Sequence, residues 1–238
     1  MPHPVLPSDE GDSCESTQLY QDLHHDGGRS RGQRASERRF PLRFPGPHND
    51  KENGMNILVL TGSPRMHGNS NTLADHFIRG AKDSGHSVAR FDAAHKNVHA
   101  CTACNSCKMN GPCVFDDDFT FVRRHLVKAD LVAFVTPMYY FGISSQLKTV
   151  IDRFYAVNSA IHVKKRAVLL MTYANHSDKD ERPILTHYDV LLDYLGWEDA
   201  GRIIVPGVWI EGAVNRTPFL EHAYRLGRGL HKDGEPVL

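Results

Sequence analysis

The stretch MNILVLTGSPRMHGNSNT, residues 55–72, decides the fold class. Its first part, residues 56–60, is a continuous apolar run, which is typical of a strand buried on both faces of a parallel sheet. The second part is a polar, glycine-containing loop that leads directly into a helix beginning near Leu73. A buried strand, such a loop and a helix, in this order, indicate the start of a doubly wound α/β domain.

The same alternation continues along the chain. Strands are predicted at residues 56–61, 87–92, 130–136, 166–172 and 202–209. Helices are predicted near residues 73–81, 119–127, 147–155, 184–195 and 219–230. Five such units with right-handed crossovers favour a flavodoxin-like, doubly wound five-stranded parallel sheet in the order 2-1-3-4-5. In that order the ligand crevice lies at the carboxyl ends of strands 1 and 3.

The composition excludes several classes of function. Among 238 residues, 28 Lys and Arg balance 28 Asp and Glu, so no global field draws the chain to nucleic acid or to a membrane surface. The longest apolar runs, residues 57–60 and 131–135, are far shorter than the roughly 18 residues of a membrane helix. The N-terminus shows no apolar core of a signal peptide. We therefore expect a cytoplasmic protein that binds neither nucleic acid nor membrane.

Residues 1–54 differ in composition from the rest of the chain. They are rich in Pro, His, Gly, Ser and Arg, and only 11 of them are hydrophobic, which is too few to offset the entropy of ordering. We expect a disordered or low-complexity N-terminal extension over residues 1–54, followed by one flavodoxin-like domain over residues 55–238.

The loop after strand 1 has the features of a phosphate site. A helix N-terminus attracts anions through its free N–H groups and its dipole, and this loop adds neutral donors and one cation. The residues concerned are Ser63, Arg65, Asn69, Ser70 and Asn71. Neither a P-loop ending nor GxGxxG spacing is present, so a monophosphate fits better than a triphosphate or dinucleotide. The alternative is that the Ser, Asn and Thr side chains only cap the helix.

The loop after strand 3 is rich in aromatic residues. Its members are Pro137, Met138, Tyr139, Tyr140, Phe141 and Gly142. A flat heteroaromatic ring needs apolar faces to stack on and backbone N–H groups for its polar rim, and this loop supplies both. The alternative is that the aromatic side chains only cover the core.

Four cysteines follow strand 2 within residues 99–116, a cysteine-rich loop. Cys101, Cys104, Cys107 and Cys113 have the spacing C-x2-C-x2-C-x5-C. Three Cys at two-residue gaps with a fourth nearby favour the four thiolate ligands of a [4Fe-4S] cluster. Structural zinc prefers two separate C-x-x-C pairs, for which the connection here is too short. An ordinary thiol cluster or a redox disulfide pair remains the alternative.

The chain resembles the flavodoxin-like NAD(P)H-dependent FMN reductase superfamily in strand 1, in both loops and in residues 146–153. It resembles the iron-sulfur flavoprotein branch of that superfamily in the cysteine motif and in the acidic run Asp116, Asp117 and Asp118. The resemblance implies that FMN is the cofactor, that the polar loop holds its phosphate and that residues 137–142 contact its isoalloxazine ring. It also implies that the four cysteines bind [4Fe-4S]. Residues 172–175, Thr-Tyr-Ala-Asn, depart from the glycine-rich turn that members often carry beside the flavin. Lys148, Asp152 and Arg153 recur in the superfamily's pattern and are interpreted as structural ion pairs.

By this resemblance the function is hydride transfer at flavin N5 with a small organic substrate, for which FMN and not a protein nucleophile supplies the chemistry. A candidate reaction is the dehydrogenation of 2-amino-4-deoxychorismate in antibiotic biosynthesis. The alternatives are an NAD(P)H-dependent FMN or quinone reductase and a non-catalytic electron-transfer flavoprotein. The expected partners are the substrate, NAD(P)H or a redox partner, and further copies of the chain in a homodimer or higher homo-oligomer.

Overall fold

The computed structural model of the protein describes residues 54–231. Apart from Gly54, the predicted N-terminal extension lies outside the described residues. The strands are β1 (Asn56–Thr61), β2 (Ser87–Asp92), β3 (Leu131–Tyr139), β4 (Gly142–Ile143), β5 (Arg166–Thr172) and β6 (Glu198–Val205). The helices are α1 (Asn69–Asp83), α2 (Phe119–Lys128), α3 (Ser145–Asp152), α4 (Asn158–Ile161), α5 (Asp178–Leu195) and α6 (Phe219–Arg228). Among residues 54–231, no helix combines the length and apolar content needed to cross a membrane.

Five parallel strands form the main sheet in the spatial order β2-β1-β3-β5-β6, and β4 pairs antiparallel with the end of β3 alone. This confirms the predicted flavodoxin-like order and adds one short strand. Alternate residues of β1 enter two apolar layers, as the period of a strand requires. Leu58 and Leu60 pack with α2, α3 and α5, whereas Ile57 and Val59 pack with α1 and α6.

The last strand begins earlier than predicted. The interval 202–209 is wrong by four residues at its start, because β6 runs from Glu198 to Val205. Gly196 ends α5 in the left-handed conformation at φ 67°, so the chain reverses at once and pairing begins at Glu198. Polar residues fit here because β6 is an edge strand. The strand ends at Val205, and the next residue, Pro206, has no N–H to continue the ladder.

Other boundaries also differ from the sequence prediction. α1 begins at Asn69, four residues before the predicted start near Leu73, because the N–H of Thr72 already donates to the Gly68 carbonyl over 3.0 Å. β3 continues to Tyr139, beyond the predicted end at residue 136, because its last residues pair with β4. α3 ends at Asp152 and continues as a 3₁₀ turn over Arg153–Val157. α5 begins at Asp178, six residues before the predicted start at 184, because the Ser177 side chain accepts from the backbone N–H of Lys179 and caps it.

Candidate functional site

The predicted phosphate loop and the aromatic loop meet at the carboxyl ends of β1 and β3. The N–H of Gly62 donates to the carbonyl oxygen of Val135 over 2.9 Å, which joins the ends of the two strands. A Cβ atom at position 62 would lie 2.1 Å from Ser144 Oγ, so a glycine is needed for this loop to lie against the start of α3. The two loops predicted to form the ligand site therefore lie together at the predicted edge of the sheet.

Internal hydrogen bonds hold the phosphate loop in one conformation. The N–H of Arg65 donates to Ser63 Oγ over 3.2 Å, and Gly68 N–H donates to the Arg65 carbonyl over 3.0 Å. Asn71 Nδ2 donates to the same carbonyl over 2.9 Å. Ser63 and Asn71 are buried, whereas the Arg65 side chain is exposed. The loop is thus organised by its own side chains, with Arg65 left facing solvent.

The N-cap residue of α1 makes no side-chain cap, a feature that α1 shares with α2, α4 and α6. Ser144 and Ser177 cap α3 and α5, but no side chain caps α1, and its first turn holds no acidic residue. Ser70 Oγ is buried there without a hydrogen-bond partner among the described residues. Uncapped N–H groups, an unused hydroxyl and a nearby Arg form a site that fits a phosphate group. The alternative reading of this loop as a set of side-chain caps does not describe α1.

Asn69 occupies the predicted phosphate loop but its side chain has other partners. Its Nδ2 donates to the carbonyl oxygens of Val208 and Ile210 over 3.0 and 2.8 Å. Its Oδ1 accepts from the N–H of Val214 over 3.2 Å. The side chain of Asn69 therefore fixes the loop after β6 against the start of α1, and no local sequence signal indicates this long-range role.

The aromatic loop is a tight hairpin. Met138 pairs with Ile143 and Tyr139 with Gly142, which leaves Tyr140 and Phe141 as the turn. Both turn residues have left-handed backbone conformations, with φ of 45° and 61°. Two-residue turns of this kind prefer Asn and Gly, and bulky side chains in them are strained. Tyr140 is fully exposed and the rings of Tyr139 and Phe141 are about half exposed, so the aromatic side chains of this turn face outward from the core.

The loop after β5 is built around a buried tyrosine. The Tyr173 hydroxyl donates to Glu181 Oε2 over 3.1 Å, and burial together with this carboxylate raises the pKa of Tyr173 above its ordinary value. Gly207, at φ 72°, lies so close to the His176 ring that a Cβ atom would be 2.2 Å from it. The loop after β5 is therefore held by contacts with α5 and with the loop after β6, although residues 172–175 lack the glycine-rich turn that members of the superfamily often carry.

The four cysteines of the cysteine-rich loop line one cavity, which Arg153 and Tyr155 also line. Cys101 and Cys104 are exposed, Cys107 is buried and Cys113 is half-buried, and none of them forms a disulfide. Four residues among them have left-handed conformations, namely Ala103, Asn105, Lys108 and Met109. Such turns expose successive backbone N–H groups and are found at anion and iron-sulfur sites.

The four thiols line the same cavity but are not positioned as the ligands of one metal centre. Within residues 54–231, no three His, Cys, Asp or Glu side chains are arranged to hold a metal ion. The backbone N–H and the hydroxyl of Ser106 hydrogen-bond to the Cys104 thiol and lower its pKa below the usual value. Thiolate is the form that binds iron, so the donor chemistry fits a cluster, whose presence stays a prediction.

Two of the three acidic residues close the base of the cysteine-rich loop. Asp118 Oδ2 accepts from the N–H of Asn97 over 2.8 Å, and Asp117 Oδ2 accepts from the N–H of His99 over 2.9 Å. Asp117 also forms a buried ion pair with Arg153, at 2.8 Å. Sequence reasoning missed this pairing, because the two residues are distant in the chain and only the charged residues of α3 were noted.

Lys148 and Asp152 form an ion pair on α3 as expected, whereas Arg153 lies beyond the end of α3 and pairs with Asp117. Lys148 Nζ lies 2.5 Å from Asp152 Oδ1 on the exposed face of the helix, and Arg153 binds Asp117 in the interior. The interpretation of these residues as structural ion pairs is therefore consistent with their contacts.

Comparison with known proteins agrees with these observations. Residues 55–191 match the family described as NADPH-dependent FMN reductase. An iron-sulfur flavoprotein of Archaeoglobus fulgidus is 33% identical over 99 residues, which cover 42% of this chain and 45% of that protein. An iron-sulfur flavoprotein of Methanocaldococcus jannaschii is 31% identical over 99 residues, 42% of this chain and 51% of that protein. The chain thus spans about half the length of the curated relatives it matches.

Solved structures share the fold. The NAD(P)H:quinone oxidoreductase from Methanothermobacter marburgensis superposes with a TM-score of 0.60 at 18% identity, covering 74% of this chain and 96% of that one. An azoreductase from Bacillus anthracis superposes with a TM-score of 0.59 at 15% identity, covering 74% of this chain and 100% of that one.

Proposed function

Because the chain belongs to the NADPH-dependent FMN reductase family, we propose that it is an FMN-dependent oxidoreductase that draws electrons from NAD(P)H or a redox partner. The observation that carries the proposal is the uncapped N-terminus of α1, beside a preformed loop that holds Arg65 and the unpartnered hydroxyl of Ser70. When bound, FMN supplies a hydride acceptor and donor at N5 for a small organic substrate.

The protein's own contribution is binding and orientation. In this proposal the N–H groups of α1, with Ser63, Ser70 and Arg65, hold the FMN phosphate, and the hairpin over residues 137–142 supplies contacts to the ring. Asn71 keeps the loop in shape through its bonds to backbone carbonyls, and Asn69 contributes its backbone N–H. The test is chromatography of the flavin released by heat. FMN is expected, and FAD would contradict the phosphate site.

We further propose that Cys101, Cys104, Cys107 and Cys113 bind one [4Fe-4S] cluster. The common cavity that they line and the similarity to iron-sulfur flavoproteins support this. A cluster would supply one-electron transfer beside the two-electron chemistry of the flavin. A reducing cytoplasm, the expected location, suits four unpaired thiols.

The cluster is tested by anaerobic purification with iron, sulfide and zinc analysis and an absorption spectrum. Changing any one of the four cysteines to Ser is expected to remove the cluster and leave FMN bound, because the two sites lie on separate loops. Cys14→Ser, outside the described residues and outside the motif, is the matched control and is expected to keep both. Stoichiometric zinc without iron would contradict the proposal, and a disulfide in the anaerobic protein would favour the redox-pair alternative.

The substrate is proposed at two levels. The general one is reduction of a quinone or flavin by NAD(P)H, in keeping with the NADPH-dependent FMN reductase family and with the fold neighbour from Methanothermobacter marburgensis, an NAD(P)H:quinone oxidoreductase. The narrower candidate is the dehydrogenation of 2-amino-4-deoxychorismate, in which aromatisation makes hydride release to FMN favourable. Holoenzyme is mixed with each substrate in turn. Anthranilate-type fluorescence supports the narrower reaction, whereas fast NADPH-dependent quinone reduction without it supports the general one. An electron carrier would show neither turnover.

We also propose that the protein forms a homodimer or higher homo-oligomer. Tyr140 in the hairpin and Trp209 and Ile210 in the loop after β6 are exposed, 102%, 75% and 62% respectively. Both loops follow the carboxyl ends of strands in the parallel sheet, so they lie at one edge of it. Large apolar side chains exposed in this way are common at protein interfaces. Light scattering of the holoprotein tests the proposal, and a monomer at micromolar concentration would contradict it.

A further inference from the structure

Arg153 is a fully buried cation beneath the cysteine-rich loop. Its side chain is 1% exposed, and its Nη1 donates to Asp117 Oδ2 over 2.8 Å and to the His99 carbonyl over 2.7 Å. The guanidinium also lies over the rings of Phe115 and Phe119, with distances of 5.4 and 4.8 Å to the ring centroids. These contacts fix the position and the plane of the guanidinium.

One nitrogen of the guanidinium group has no hydrogen-bond partner among the described residues. It is Arg153 Nε, which is buried. A buried donor on a charged group that lacks a partner costs roughly 1–3 kcal/mol or more, so proteins rarely leave one without a reason. Arg153 also lines the cavity that the four cysteines line. The side chain that carries this unpartnered nitrogen therefore borders the same cavity as the four thiols.

The cavity is otherwise free of formal charge. Apart from the four cysteines and Arg153, the described residues that line it are neutral: Thr102, Asn105, Val114, Phe115, Tyr155 and Ala156. A [4Fe-4S] centre with four thiolates carries a net charge of about −2 and becomes more negative when it is reduced. Asp117 offsets the charge of Arg153 at longer range, but Arg153 and not Asp117 lines the cavity, so the positive end of the ion pair and its N–H donor stabilise the reduced form and raise its reduction potential.

We propose that Arg153 is a positioning residue of the cysteine cavity that donates to the sulfur atoms of an iron-sulfur cluster there and raises its reduction potential, while Asp117 holds the guanidinium in place. This inference rests on the proposed function, since it requires that the cluster is bound. The step it affects is addition of one electron to the cluster, with no bond made or broken.

The test is a redox titration of the anaerobic holoprotein with dithionite as electron donor, followed by EPR of the reduced cluster and by iron and sulfide analysis. Removing Arg153 alone would leave Asp117 as an uncompensated buried charge, which commonly destabilises a fold. The main variant is therefore Arg153→Gln combined with Asp117→Asn, which removes both charges and keeps similar shapes. Arg153→Lys is the conservative variant, and Lys148→Gln combined with Asp152→Asn removes the exposed ion pair of α3 as the charge-matched control.

The expected result is a lower cluster potential in the Arg153→Gln, Asp117→Asn variant, an intermediate or restored one in Arg153→Lys, and the wild-type value in the Lys148→Gln, Asp152→Asn control. An Arg153→Gln, Asp117→Asn variant that folds and binds FMN but takes up no iron, while Arg153→Lys does, also supports the proposal. A wild-type potential in both Arg153 variants overturns it and leaves the cluster itself intact. Wild-type protein that contains no iron after anaerobic preparation overturns the proposed cluster and this inference together, so the two failures are distinguishable.

Discussion

Gly80 in α1 lies directly against the backbone of Tyr224 in α6, so that a Cβ atom at position 80 would stand 1.9 Å from the Tyr224 carbonyl oxygen. The contact is reciprocal, because a Cβ atom on Gly227 of α6 would stand 2.1 Å from the Phe77 carbonyl oxygen of α1. The two helices touch backbone to backbone. α1 also begins at the proposed phosphate site, so this contact helps to hold that site on the sheet.

Gly80→Ala and Gly227→Ala are each expected to lower the free energy of unfolding by about 1–3 kcal/mol or more, because backbone atoms cannot move aside for the added methyl group. Denaturant unfolding measures the effect. Lys82→Ala, an exposed change on the same helix, is the control and is expected to stay within about 0.5 kcal/mol of wild type. Wild-type stability in both glycine variants would show that the helices lie farther apart.

Stability is expected to depend on pH through His86, which is buried. Its Nδ1 accepts from the N–H of Met55 over 3.2 Å, so Nε2 carries the proton and donates to the Leu230 carbonyl over 2.9 Å. The neutral ring is fully bonded, and burial holds the pKa of His86 below its ordinary value of 6.5. The unfolded chain therefore binds a proton before the folded one does. The free energy of unfolding is fully retained above about pH 6.5 and falls as the pH drops from there toward the folded pKa.

His86→Gln is expected to reduce this slope between about pH 5 and 7, because the group that takes up the proton on unfolding is gone. Urea unfolding at several pH values gives the measurement. His67→Gln changes an exposed histidine and serves as the matched control, with the wild-type slope expected. If the two variants show the same slope, His86 is not the group responsible.

Arg65 and Asn69 are expected to separate flavin binding from stability. Arg65 is exposed, so Arg65→Ala should leave the unfolding of the apoprotein unchanged and weaken FMN binding about tenfold or more, the effect of one lost bond to a charged group. Arg65→Lys should be intermediate, since Lys keeps the charge and loses the planar fork. Fluorescence titration with FMN measures the affinities. Normal FMN binding by Arg65→Ala would refute its assignment to the phosphate.

Asn69→Ala, unlike Arg65→Ala, should destabilise the apoprotein. Its loss leaves the Val208 and Ile210 carbonyls and the Val214 N–H without their partner, and it should lower the free energy of unfolding by about 1–3 kcal/mol. Proteolysis within the loop after β6 should also become faster. Unchanged stability would mean that the loop is held mainly by other contacts.

Replacing the strained turn residues Tyr140 and Phe141 is expected to stabilise the protein and to weaken FMN binding. Tyr140→Asn with Phe141→Gly places the residues that this turn prefers and should raise the free energy of unfolding by about 1 kcal/mol or more while weakening FMN binding. Phe141→Leu keeps the backbone strain and removes one ring, so it should weaken FMN binding without a gain in stability. The free energy of unfolding and the affinity for FMN are measured for the wild-type protein, the double variant and Phe141→Leu. A double variant that is no more stable than wild type would contradict the strain.

A chain that begins at Met55 is expected to fold and to bind FMN like the full chain, because residues 1–54 have too little apolar content to pack. Thermal unfolding and FMN titration of the two chains test this. Lower stability or weaker FMN binding in the shorter chain would assign the N-terminal segment a structural role.

Much of the fold could be predicted from the sequence. Short apolar runs alternating with amphipathic segments specify the parallel sheet, because burial of both faces leaves a periodicity that can be read locally. The boundaries were less predictable. The start of β6 at Glu198 depends on pairing with β5, and the extension of β3 to Tyr139 depends on a hairpin with β4. Strand pairing is a long-range property that propensity does not contain.

The sequence alone also determined which loops form the candidate site, since the order of strands places the ends of β1 and β3 together. Only the tertiary structure decided what individual side chains in them do. The loop sequence predicts Asn69 as a phosphate ligand, but its side chain bonds to the loop after β6. In the sequence Asp117 is one member of an acidic run, but in the fold it is the buried partner of Arg153. Hydrogen bonds and ion pairs join groups that the folded chain brings close, so residues distant in sequence acquire their roles only when packing has placed them.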